Sequence, residues 1–185
     1  MTVVDKDLNK IMKHKRYLNA NLICCDISYL PFKDRVADFA IFYFTLHEIN
    51  PLIHKKVLHE ARRVSSKIML VEPSPNGCII YQQYAKIWRD AMHSIGKFED
   101  YQTYHYWLRL IKNCGYKVIA IKRIKQNSEI PPQDLKKIFK KTIVTWKKLQ
   151  VKDDYINKLH DLLKQAVKKG MKWSDLIMIL GESIS

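Results

Sequence analysis

A chain of 185 residues with 47% hydrophobic content can bury a core and is too apolar for a disordered segment. Five glycines leave little room for glycine-built phosphate loops, and no apolar run approaches the length that crosses a bilayer. The net charge of +15 draws anions, including nucleic acid and acidic membrane surfaces, although a solvated lysine-rich surface is the plainer reading.

The elements follow in chain order. Thr2-Val3-Val4 reads as a short strand ending at Asp5, and Asp7 to Tyr17 as a basic helix with Leu8, Ile11 and Met12 on one face. Leu22 to Cys25 is a strand. Its two cysteines point to opposite faces, one of them at least into the core. With Cys78 and Cys114 they form no C-x-x-C pair, so no zinc site is expected and all four read as reduced thiols. Asp38 to Phe44 is almost wholly apolar, as befits a strand covered on both faces.

Pro51 opens a helix that runs to about Arg63, with Ile53, Val57, Leu58 and Ala61 at helical spacing. Lys67 to Glu72 is a buried strand stopped by Pro73 and Pro75. Helices are expected over 79–95, with Tyr81, Tyr84, Ala85 and Trp88 on one stripe, and over 101–113, where Gly115 suits a C-cap. Tyr116 to Ile124 alternates as a strand does. Two amphipathic helices follow Pro131-Pro132. The first carries Leu135, Ile138, Phe139, Ile143, Trp146 and Leu149, the second Ile156, Leu159, Leu163, Ala166 and Val167, with lysines opposite. Gly170 closes the pair, and Trp173 to Leu180 reads as a last strand. Alternating strands and helices define an α/β fold.

Ligands of open α/β sheets lie beyond the carboxyl ends of the strands. Here those ends carry Asp5, Asp26, His47-Glu48 and Glu72. A carboxylate at one strand end can accept both hydroxyls of a ribose, and a second can accept an adenine amino group. Taken singly, such acids are as readily solvated groups or caps of the following helix, as Asp7 could be. Tyr81, Tyr84, Trp88, Tyr101, Tyr104 and Trp107 make an aromatic-rich stretch that reads first as core.

The order of these residues resembles class I S-adenosylmethionine-dependent methyltransferases of the small-molecule type, related to the ubiquinone and menaquinone enzymes. The pattern is Asp26, then Leu30-Pro31-Phe32, Asp38-Phe39 and Leu46-His47. Glu60-Ala61-Arg62-Arg63-Val64, Val71-Glu72-Pro73 and Gly115-Tyr116 follow. The resemblance implies a Rossmann-like sheet, mostly parallel, with an antiparallel last strand. It covers residues 1 to about 125 and the last strand, so the chain is expected to be one methyltransferase-like domain over 1–185 with 131–170 as a helical insertion. It begins at the family's second strand: the first strand and its Gly-x-Gly loop have no counterpart, so the fold is expected to be N-terminally truncated, with apolar strand edges left open.

By resemblance the cofactor is S-adenosylmethionine. Asp5, with Lys6 beside it, would hold the ribose, Asp26 and Ile27 the adenine, and Phe44 the methionine end. His47 and Glu48 would act as a base or grip the acceptor, a small or hydrophobic molecule. The alternative is a cofactor-free binding or assembly module with a basic surface. Its partner would be RNA, a second copy, or another chain covering the open edge. The N-terminus lacks a signal-peptide stretch, and a cytoplasmic location is expected.

Overall fold

The structure is a computed structural model and describes residues 1–15, 17 and 19–184. Its strands are β1 (Thr2–Asp5), β2 (Asn21–Cys24), β3 (Ala37–Tyr43), β4 (Ser65–Pro73), β5 (Tyr116–Ile124) and β6 (Leu176–Ser183). Its helices are α1 (Leu8–His14), α2 (Pro51–Val64), α3 (Ile79–Ser94), α4 (Tyr104–Asn113), α5 (Pro132–Lys148) and α6 (Asp153–Lys169). All the predicted strands and helices are present. α1 is shorter than its pattern: Asp7 caps it by accepting from the Asn9 and Lys10 amides, and it closes at Lys15. Arg16, within the predicted span, lies outside the described residues. The last strand starts later than its sequence suggests: Trp173, 37% exposed, lies ahead of it with its ring against Tyr81 and Tyr84.

The strands form two sheets rather than one. β1 and β2 pair in parallel, Asp5 opposite Cys24. The other four run β3-β4-β6-β5, with β3 parallel to β4 and β6 antiparallel to both its neighbours. The antiparallel last strand is therefore as expected, and β1, β2, β3 and β5 are edge strands, each paired on one side only.

Two apolar cores result. One lies under the four-stranded sheet, where Ile68, Leu70, Ile177 and Ile179 meet Val57, Leu58 and Ala61 of α2 and Trp107 and Ile111 of α4. Gly181 lets α4 come close: a Cβ there would stand 3.1 Å from Ile68 and 3.4 Å from Ile111. Gly115 ends α4's turn at φ +79°, a left-handed backbone that favours glycine. The other core joins α3 to α5 and α6 through Tyr84, Phe139, Trp146, Ile156 and Leu159.

Three expectations about burial fail. β3 is covered on one face only: Phe42 is buried, while Phe39, Ile41 and Tyr43 are 47, 59 and 64% exposed. Period-two alternation sends those three to the face away from α2, where no described element packs on them. Leu8 and Met12 are exposed and only Ile11 of the α1 stripe is buried, because that helix has a two-stranded sheet and no larger body to cover. Neither strand cysteine is in the core, Cys24 being exposed and Cys25 half-buried.

The β1–α1–β2 unit is tied to the larger sheet by its following loop. Leu30 N donates to Glu60 Oε1 at 2.7 Å. Arg63 donates to the carbonyls of Leu30 and Phe32 and pairs with Asp34 and Glu60. Glu60 and Arg63 lie one helical turn apart on α2, so both reach the same loop. The Leu-Pro-Phe segment and the Glu-x-x-Arg pair, far apart in sequence, are thus two halves of one clamp.

Candidate functional site at the carboxyl rim

At the end of β3 the chain reverses through Phe44, whose φ of +52° is rare for a bulky side chain. The reversal is latched from several directions. Phe44 N donates to Val71 O at 2.9 Å. Glu72, fully buried at the end of β4, accepts from the Thr45 and Leu46 amides at 3.0 and 2.7 Å through Oε1. Its Oε2 meets His47 Nδ1 at 2.5 Å. Behind the 3₁₀ turn Leu46–Glu48, His54 Nε2 donates to the carbonyls of Leu46 and Ile49 and its Nδ1 accepts from the Tyr106 hydroxyl. Burial holds His54 below the ordinary histidine value, as a neutral ring requires.

His47 is 6% exposed and stacks on Tyr101 at 5.3 Å between centroids. Burial works against its charged form. The Glu72 hydrogen bond and charge, with Glu99 and Glu48, outweigh that and raise its pKa. Glu99, 5% exposed, lies on the segment after α3, with Oε1 at 3.6 Å from His47 Nε2. Burial raises its pKa against the pull of His47. The neighbouring Asp100 amide donates to His47 O at 2.8 Å, which stitches this segment to the 3₁₀ turn. Glu48 is exposed, its carboxylate 3.8 Å from Lys10 of α1.

The other half of the rim belongs to the small sheet. Asp5 ends β1 and accepts from the Asp7 amide, with Lys6 exposed beside it. Asp26 lies two residues beyond Cys24, the register partner of Asp5, so both acids sit at the same end of that sheet. Asp26 accepts from the Ser28 amide at 2.8 Å, which, with the charges of Lys56 and Lys6, holds its pKa below the usual carboxylate value. Ile27 is half-buried against the larger sheet's core. Phe44, 37% exposed, stands T-shaped to His47, with ring centroids 6.1 Å apart. The Lys10–Glu48 contact joins the two halves.

The structure therefore gathers His47, Glu48, Glu72 and Glu99 in one place and sets Asp5, Lys6 and Asp26 at one end of the smaller sheet. Glu99 and His54 escaped the sequence reading. His54 looks like one more polar residue of an amphipathic helix, and Glu99 sits in a loop without periodicity. Two surface hollows lie elsewhere, between α4 and β5 and around Arg35, Arg62 and Arg63. The rim is preferred as the site because its buried titratable groups converge.

No family model and no curated protein sequence matches the chain. Solved structures do. A candidate methyltransferase from Bacillus halodurans C-125 aligns over 100% of this chain and 83% of its own, with TM-score 0.63 and 12% identity. A SAM-dependent methyltransferase from Methanosarcina mazei aligns over 100% and 82%, with TM-score 0.61 and 14% identity. Another from Archaeoglobus fulgidus aligns over 98% and 75%, with TM-score 0.58 and 12% identity. The chain has the Rossmann-like fold of class I methyltransferases. At such identities the likeness speaks for fold alone.

Proposed function

We propose that the protein is an S-adenosylmethionine-dependent methyltransferase acting on a small or hydrophobic acceptor. The observation that carries this reading is the rim itself: a methyltransferase fold with polar groups at the carboxyl ends of β1, β2, β3 and β4. The fit to the cofactor is good at its adenosine end. Asp5 and Lys6 would meet the ribose, Asp26 and Ile27 the adenine, and Phe44 the methionine side. The methionine end is less well provided, because among the described residues no glycine follows β1, β2 or β3 to let backbone approach closely. When bound, the cofactor supplies an electrophilic methyl group on a sulfonium.

The chain's own part is alignment, which accounts for most of the barrier in a transfer with a neutral leaving group. Phe44 and Tyr101 form an apolar wall around His47. His47, oriented by Glu72, takes a proton from the acceptor or holds it by a hydrogen bond, with Glu48 at the solvent side. Four free thiols among the described residues suit a reducing, cytoplasmic setting, and among those residues no helix is long and apolar enough to cross a membrane.

Calorimetric titration of the folded chain with S-adenosylmethionine tests this. Saturable heat that Asp26→Asn diminishes is expected; no heat from folded protein defeats the reading. A second reading rests on the exposed Phe39, Ile41 and Tyr43 beside the open β3 edge: an assembly module whose second copy or partner chain covers that face. Sedimentation as a pure monomer would count against it.

A further inference from the structure

We propose that His47, Glu48 and Glu99 form a binding site for a divalent first-row cation, Mn²⁺ being the probe of choice. One ligand atom from each lies within 4.8 Å of the others. The decisive spacing is His47 Nε2 to Glu99 Oε1, 3.6 Å. It is too long for a hydrogen bond, yet two ligands sharing a tetrahedral ion at ordinary metal distances stand about 3.4 Å apart.

The surroundings make the same case. Glu72 occupies Nδ1 of His47 and leaves Nε2 facing Glu99. A carboxylate behind the imidazole is the arrangement that orients metal-ligating histidines. Both ligand-bearing segments are fixed, one by the Glu72 and His54 bonds and each to the other by the Asp100 amide. Charge points the same way. Glu72 and Glu99 are buried on either side of one ring and Glu48 adds a third acid, while Lys10 touches only the exposed one. Three acids share one imidazole, and a cation bound between them would replace that ring's extra proton as their counter-charge. One imidazole and two carboxylates suit Mn²⁺ or Zn²⁺ better than Ca²⁺.

Three protein ligands leave further positions for water or for an oxygen of the acceptor, so with the cation bound His47 serves as a ligand and no longer as a base. That role rests on the methyltransferase reading and favours a hydroxyl-bearing acceptor. Cation binding itself does not depend on the reading, so it is measured without S-adenosylmethionine: failure of cofactor binding leaves the cation result standing, and the reverse.

The experiment titrates the full folded chain with Mn²⁺, following free ion by electron paramagnetic resonance. One saturable site per chain is expected. Glu99→Gln should weaken it by roughly 100-fold or more and the orienting change Glu72→Gln by roughly 10- to 100-fold. Glu48→Gln, on an exposed side chain, should weaken it with folding intact. A folded wild-type chain without saturable binding overturns the proposal, as does binding indifferent to Glu99→Gln. If circular dichroism finds that variant unfolded, indifference to Glu48→Gln overturns it instead.

Discussion

The α3–α5–α6 end of the molecule and its β1–β3 side treat apolar residues in opposite ways. In the first, every turn of three helices finds a partner, and Phe139, Trp146 and Leu159 are fully buried. In the second, a strand of almost unbroken apolar sequence buries Phe42 and leaves Phe39, Ile41 and Tyr43 in the open. The comparison separates two properties that sequence patterns run together. Periodicity decides that an element forms; a neighbouring element decides whether its face is covered.

The largest expected effect lies in the closed core. Trp146→Ala should cost about 3–5 kcal/mol in urea unfolding, the range for aromatic truncation in a packed interior. A cost below about 1 kcal/mol would mean that this end is as open as the other. Trp146→Phe sharpens the point. The buried Nε1 of Trp146 has no hydrogen-bond partner, so losing it removes an unsatisfied donor, and this variant should be far milder.

An intermediate effect is expected at the clamp between the regions. The Arg63 hydrogen bonds, aided by the Leu30 amide, depress the Glu60 pKa against burial. A depressed carboxylate stabilises the fold above its unfolded value, near 4.3, and that contribution is lost as pH falls through the folded value. Acid unfolding of the wild type should therefore steepen below about pH 4.3, and Glu60→Gln should flatten that limb. Superimposable acid limbs would remove Glu60 from the clamp.

The smallest effect on stability belongs to the open face. Ile41→Ser should shift stability by about 0.5 kcal/mol or less, while reducing self-association measured by sedimentation. A loss above about 1 kcal/mol would mean that the face is covered in solution.

Much of the fold was legible in the sequence because its strands and helices carry strong periods and sharp stops. Pro51, Pro73 and Gly115 mark boundaries where the backbone needs them. The division into two sheets was legible only as the expectation of apolar strand edges left open. The failed burial expectations, at Leu8, Met12 and β3, share a cause: each apolar stripe was credited with a partner that the described residues do not supply. At the rim, Asp5, Asp26, His47 and Glu72 could be read from their places at strand ends. Glu99 could not, since nothing local links it to a histidine 52 positions earlier in the chain.

The distribution of indoles gives the two regions separate optical signatures. Trp88, Trp146 and Trp173 belong to the aromatic network of the helical end and Trp107 to the core beneath the larger sheet. The β1–α1–β2 unit contains no tryptophan, but the half-buried thiol of Cys25 directly follows its second strand. Emission spectra will thus follow the well-covered interior and stay blind to loosening around β1. Thiol labelling will see that loosening first, so a gap between the two signals would time the release of one region from the other.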